Sequence, residues 1–187
     1  MIPDPVTCYD LMDEYGMYSH IRDHSLVVAR VAALLVHGVN LCGWKLNPDL
    51  TLAGALLHDI AKSECLERDC WHDLRGGEIC RGLGYGEVAE IVEEHVTLEK
   101  GEAQPLSEKM IVYYADKRVN HDRIVSLEER LTSILERYAE GDRQLEQVIR
   151  DNFRVCFAVE IKIFKYLTFT PDEVADLIES GQEEIAV

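Results

Sequence analysis

A chain of 187 residues is long enough for one domain with a sizeable core and short for two. Its 47% hydrophobic content is ordinary for a globular protein and argues against disorder. The net charge of −16 argues against tracking along a nucleic-acid polymer, which needs lysine and arginine set against phosphates. No stretch reaches the roughly 18 uninterrupted apolar residues of a membrane span, since the longest candidate, Ser25 to Val36, contains Arg30. Met1 to Pro5 lacks the basic flank and apolar run of a secretory signal. Six cysteines form no C-x-x-C pair, so reduced, mostly buried thiols and a cytoplasmic location are expected.

The dominant periodicity is helical. Val27, Val28, Val31, Leu34 and Leu35 mark one face of a first helix opened by His24. Glycines and a proline between Gly38 and Pro48 break it. A second helix is predicted from about Asp49 to Lys62, with Leu50, Ala53, Leu57 and Ile60 on one side. A third starts near Asp69 or His72 and ends before Gly82, and a fourth covers about Glu87 to Val96. Ser107 is the N-cap of a helix through about Val119. Ser126 and Glu129 make a capping box for a helix to about Tyr138, with Gly141 as its C-cap candidate. A long helix covers about Asp142 to Leu167, and Thr170-Pro171 caps a last short one. No segment sustains a period-2 pattern. The expected fold is an all-α, single-domain bundle over residues 1–187, with a core over about 18–125 and additional C-terminal helices over about 126–187.

Polar residues on apolar faces carry the functional signal. His58-Asp59 falls inside the apolar run Leu56 to Ala61, where an unpaired polar pair is costly. Val88, Ile91 and Val92 put His95 on a core-facing stripe. Val112, Tyr113 and Val119 do the same for Asp116, and Val28 for His24. Metal-ligand residue types on the inner faces of separate helices suggest one centre in a bundle core. Imidazole with carboxylate suits manganese, iron, nickel or magnesium.

The ordered set His24, His58-Asp59 and Asp116 resembles the HD-domain phosphohydrolase superfamily. His58-Asp59-Ile60-Ala61-Lys62 is similar to its H-D-[IA]-[GA]-K segment, and Ala115-Asp116-Lys117 to its A-D-K segment. The resemblance covers about residues 20–120. It implies a helical fold, His24, His58, Asp59 and Asp116 as ligands of one metal, and hydrolysis of phosphate esters or anhydrides, mostly of nucleotides. Binuclear members carry two further histidines between the His-Asp pair and the last Asp. His72 and His95 stand at the matching places, and Asp59 would then bridge two ions. His72 to Gly77 looks like the H-x-x-x-G stretch of such members, and the arrangement is similar to the dinucleoside-tetraphosphatase branch, which is binuclear with iron. His95 is followed by Val96 and no Gly-Tyr-Pro occurs, so the cyclic-dinucleotide branch is disfavoured.

The resulting expectation is a phosphohydrolase with one or two divalent ions, iron or manganese ahead of nickel, cobalt or magnesium. Asp59 bridges ions or orients water, and Lys62, three residues on along the same side, neutralises phosphate. Arg22, Arg118 and Arg123 are candidate phosphate clamps. The expected partner is a small phosphate substrate, a nucleotide by resemblance, with no nucleic-acid polymer and no membrane. The rival reading is an inactive HD domain that binds a nucleotide or metal, or a protein partner. The apolar residues from Val148 to Tyr166 suit core packing, or a homodimer.

Overall fold

The computed structural model describes residues 1–99 and 101–181. Helix α1 (Pro5–Glu14) starts where Asp4 accepts a hydrogen bond from the Thr7 amide at 2.7 Å and Pro5 presets the first turn. It was not legible in the sequence. Helix α2 (Ser19–Leu41) begins five residues ahead of His24, so His24 lies inside the helix and not at its start. By length and composition α2 could cross a membrane. Here it is the central helix, with Val28, Val31, Ala32 and Leu35 fully buried and packed on α3 and α7.

Helix α3 (Pro48–Leu57) is capped by Asn47, whose side chain accepts from the amides of Asp49 and Leu50. It ends one residue before His58, and His58 to Ala61 form a tight turn into α4 (Lys62–Arg68). The single expected helix from 49 to 62 is therefore a helix, a turn and the start of another. Helices α5 (His72–Gly82) and α6 (Gly86–Glu94) form a closely packed pair. A Cβ on Gly76 would sit 2.7 Å from Val92 Cγ1, so only glycine lets α5 approach α6 this closely. Helix α7 (Glu108–Lys117) starts at the expected Ser107 cap.

A two-stranded hairpin follows, β1 (Val119–Asn120) and β2 (Arg123–Ile124), pairing Val119 with Ile124 and Asn120 with Arg123. The strands are too short to leave a period-2 signal. Helix α8 (Leu127–Tyr138) has the expected Ser126–Glu129 capping box. Helix α9 (Arg143–Phe164) packs on α7 and α8, burying Phe153, Val159 and Ile163, while Val148 and Ile161 stay exposed. Helix α10 (Val174–Glu179) returns to α2. The fold is an all-α bundle with additional C-terminal helices, as expected, and the hairpin is the exception among the described residues.

The cysteines need one correction. Cys8, Cys80 and Cys156 are buried free thiols, as expected, and Cys42 is free and exposed. Cys65 and Cys70 instead form a disulfide. Asp69, at φ 51°, turns the chain back after α4 and brings their Cα atoms to 4.7 Å.

Candidate metal centre

Six residues that the sequence singled out converge on one cluster, and all but the fully buried His58 line a cavity. His24 comes from α2, His58 and Asp59 from the turn after α3, His72 from the first turn of α5, His95 from the end of α6 and Asp116 from α7. His58, Asp59 and His95 are at most 2% exposed, and His24 and Asp116 are each 7% exposed. Their burial follows from helix faces. Val88, Ile91 and Val92 are fully or almost fully buried and carry His95 inward, and Val112 and Tyr113 do so for Asp116.

Three of the imidazoles are held the same way. Nδ1 of His58 donates to the carbonyl of Ala55 at 2.7 Å, and Nδ1 of His95 to that of Val92 at 2.5 Å. Nδ1 of His24 donates to the carbonyl of His121 at 2.9 Å. A backbone acceptor at Nδ1 selects the tautomer that leaves the Nε2 lone pair free. All these Nε2 atoms face the carboxylates. His24 Nε2 lies 3.0 Å from Asp116 Oδ1, and His58 Nε2 lies 3.4 Å from Asp59 Oδ2 and 3.7 Å from Asp116 Oδ1. His72 and His95 Nε2 lie 3.4 and 3.6 Å from Asp59 Oδ1 and 3.2 Å from each other.

Asp59 is the pivot. One oxygen faces His58 and the other faces His72 and His95. Two donor groups share it, His24–His58–Asp59 and Asp59–His72–His95, each with its ligand atoms within 4.8 Å of one another. His58 Nε2 and Asp59 Oδ1 are buried with no hydrogen-bond partner. Buried polar atoms without partners are rare and costly. An arrangement of inward lone pairs around orphaned carboxylate oxygen fits a cation, and nitrogen with oxygen donors fits a borderline divalent one.

Charge is compensated by two lysines. Burial alone would raise the pKa of Asp59, but Lys62, with Nζ 2.7 Å from Oδ2, and His58 hold it well below the ordinary carboxylate value. Burial works the same way on Asp116, and there Lys117 and His24 outweigh it. Lys117 is itself buried and donates to Asp116 Oδ2 at 2.9 Å and to the His95 carbonyl at 2.6 Å. Burial lowers the pKa of His72 to about 4 and also lowers that of His95, which favours the neutral imidazole that a metal needs. For His58 burial opposes protonation but Asp59 and Asp116 prevail and raise its pKa, which reflects the negative charge gathered there.

The cavity above the cluster has a volume of about 480 Å³. Lys62 lines it, together with His20 and His121. The three candidate clamps do not reach it. Arg22 pairs with Asp13 on the outside. Arg118 is buried, bound to the Tyr114 hydroxyl, the Val125 and Pro171 carbonyls and Glu160, and ties α7 to the C-terminal helices. Arg123 is exposed on β2 and lines no part of the cavity. In their place Arg130 and Arg137 of α8 line the wall, with Asn152 and Phe153 of α9. A solvated arginine on a polar helix face carries no sequence mark of what that face meets.

A family model described as HD domain matches residues 21–120. The tRNA (cytidine(56)-2'-O)-methyltransferase of Thermoplasma volcanium is 30% identical over 145 residues, which cover 69% of this chain and 40% of that protein. An uncharacterised protein of Methanocaldococcus jannaschii is 26% identical over 144 residues, covering 70% of this chain and 84% of its own length. The ribonuclease Y of Pseudothermotoga lettingae is 30% identical over 129 residues, covering 69% of this chain and 23% of that protein. The chain therefore corresponds to less than half of the methyltransferase and less than a quarter of the ribonuclease. No solved structure matches.

Proposed function

The chain belongs to the HD domain family, and from that premise we propose that it is a metal-dependent phosphohydrolase acting on a small phosphate ester or anhydride, with a nucleotide as the favoured substrate class. The observation that carries the reading is Asp59, a buried carboxylate with its two oxygens facing two separate sets of imidazole Nε2 atoms.

His24, His58, Asp59 and Asp116 would hold one ion and Asp59, His72 and His95 a second, the mixed donor set suiting a borderline divalent ion and the family resemblance favouring iron or manganese. At these residues a divalent ion would supply polarisation of phosphoryl oxygens and a lowered pKa of water. The chain's own residues do the rest. The carbonyls of Ala55, Val92 and His121 fix the ligand tautomers before substrate arrives. Lys117 holds Asp116 and the end of α6 in register. Lys62 holds Asp59 and lines the cavity, placed to take the charge of a phosphoryl group. Phe153 and Ile149 give the cavity an apolar stretch of wall.

A second reading rests on the relatives' names. Two are RNA-acting proteins by name, and an RNA phosphodiester is a phosphate ester too. The chain covers only part of each, and its net charge of −16 disfavours a polymer. The test is a hydrolysis panel with manganese- and iron-loaded protein. It contains 5′-nucleotides, oligophosphates, p-nitrophenyl phosphate and a short oligoribonucleotide, with a His58→Ala control. Turnover of a small phosphate that chelator and His58→Ala both abolish supports the proposal. Turnover of the oligoribonucleotide alone favours the second reading, and no turnover with any ion returns the chain to the inactive binding module.

A further inference from the structure

We propose that the Cys65–Cys70 bridge is a redox site that gates the second metal position. A dithiol that opens the bridge releases His72 and weakens the ion shared by Asp59, His72 and His95. The inference rests on the two-ion reading of the centre. Its own observations are where the bridge lies and how weakly His72 is held without it.

The bridge joins the two helices that carry the second donor group. Cys65 lies in α4, whose first residue, Lys62, donates its amide to the Asp59 carbonyl at 2.9 Å. The Cys65 amide donates to the Ala61 carbonyl, also at 2.9 Å. Cys70 lies two residues before His72, the first residue of α5. The helix that begins beside Asp59 is thus tied to the helix that begins at His72. Asp69 is held between them at φ 51°, a left-handed conformation that costs a residue with a side chain.

His72 is the least anchored of the four ligand histidines. His24, His58 and His95 each donate from Nδ1 to a backbone carbonyl. Among the described residues His72 makes its contacts through Nε2 alone, to His95 and Asp59. Its side chain is 28% exposed, against at most 8% for the other three. Trp71, the N-cap of its helix, supplies no side-chain capping bond. Glu64 and Arg75, 3.3 Å apart, also link α4 to α5, but a part-exposed ion pair adds little. The bridge is therefore what fixes the start of α5. With it open, Asp69 is free to leave its left-handed conformation and His72 moves with the chain.

The chemistry is thiol–disulfide exchange. Cys70 is exposed and Cys65 half-buried, so an incoming thiolate reaches the Cys70 sulfur. A bond forms between the dithiol's first sulfur and Cys70 Sγ as the Cys65–Cys70 bond breaks, and Cys65 leaves as thiolate. The dithiol's second thiolate attacks its first sulfur, and Cys70 leaves in turn. The bridge gains two electrons, the dithiol loses two and closes to a disulfide, and its two protons end on Cys65 and Cys70.

The test is calorimetric titration of metal-free protein with manganese in three forms. These are the parent with the bridge closed, the parent opened with dithiothreitol and freed of it, and Cys65→Ser/Cys70→Ser, which has neither bridge nor thiols at these positions. Thiol labelling of the folded parent should report exposed Cys42 before opening and two further thiols after it. The closed parent should bind two ions. In both open forms the second ion should bind at least about tenfold more weakly, the size of losing a ligand's outer support, while the first shifts less than about twofold. Reoxidation should restore the second ion, and unchanged helical circular dichroism separates its loss from unfolding. A thioredoxin-class protein at the same dithiol concentration is a further arm: opening faster than with dithiothreitol assigns the partner to proteins, and slower opening assigns it to small dithiols. Equal affinities in closed and open forms, or equal losses at both ions, overturn the inference and leave the two-ion centre standing. A bridge that dithiothreitol fails to open in folded protein does the same. A closed parent that binds no manganese removes the two-ion centre, and the inference falls with it.

Discussion

Replacing Lys117 with methionine isolates the electrostatics of the centre from its shape. Methionine keeps most of the buried stem and removes only the ammonium. In the parent, that ammonium donates to Asp116 Oδ2 and to the His95 carbonyl and lies 4.7 Å from the centre of the Tyr113 ring. Breaking a buried pair by deleting one partner costs about 3–5 kcal/mol. The orphaned carbonyl would cost about 1–3 kcal/mol alone. The two losses share one network and do not add, so the larger range sets the expectation. For a chain of this size each kcal/mol moves the melting temperature about 2–4 °C, which gives a fall of about 6–20 °C in metal-free protein. An ion beside Asp116 replaces the missing positive charge, so the deficit should shrink in manganese-loaded protein. Scanning calorimetry with and without manganese reads both values. A metal-free melt within about 2 °C of the parent would refute the reasoning, and so would a deficit that metal leaves unchanged.

Three further outcomes follow from the geometry. His95→Ala should lose the ion shared by Asp59, His72 and His95 and keep the other, so elemental analysis should find the metal content halved in folded protein. Full metal content would show that the two donor groups do not hold separate ions. Stripping metal with a chelator should lower the melting temperature, because ligands from α2, α5, α6, α7 and the turn after α3 are joined through ions; binding at 100-fold excess over Kd adds about 2.7 kcal/mol. Cys70→Ser should cost about 2 kcal/mol, the chain-entropy value for so short a loop, and the same shift should appear in the parent on adding reductant. A melt insensitive to reductant would show that the bridge does not constrain the loop leading to His72.

The legible part of the site was the part that breaks a periodic pattern. His95 and Asp116 sit where an apolar residue is due, and both prove buried for that reason. The tight α5–α6 contact also left a trace, in Gly76. What stayed hidden was short or tertiary. Helix α4 has seven mostly polar residues, too few to show a period. The Cys65–Cys70 bridge depends on a left-handed Asp69 that no spacing rule announces. Arg22 and Arg118 lie near His24 and Asp116 in the chain, but Asp13 occupies one and Tyr114 with two carbonyls the other. Arg130 and Arg137 look like solvated helix residues until α8 docks over the cavity.

The central claim is that Asp59 joins two ions. Mass-spectrometric metal analysis of the purified parent and of Asp59→Asn tests it most directly, because asparagine keeps the shape and removes the bridging charge. The account predicts two divalent ions per parent chain and loss of most of both in the variant, with the helical circular dichroism retained. A parent chain without bound metal after growth and reconstitution with manganese or iron would contradict it, as would an Asp59→Asn protein that holds as much metal as the parent.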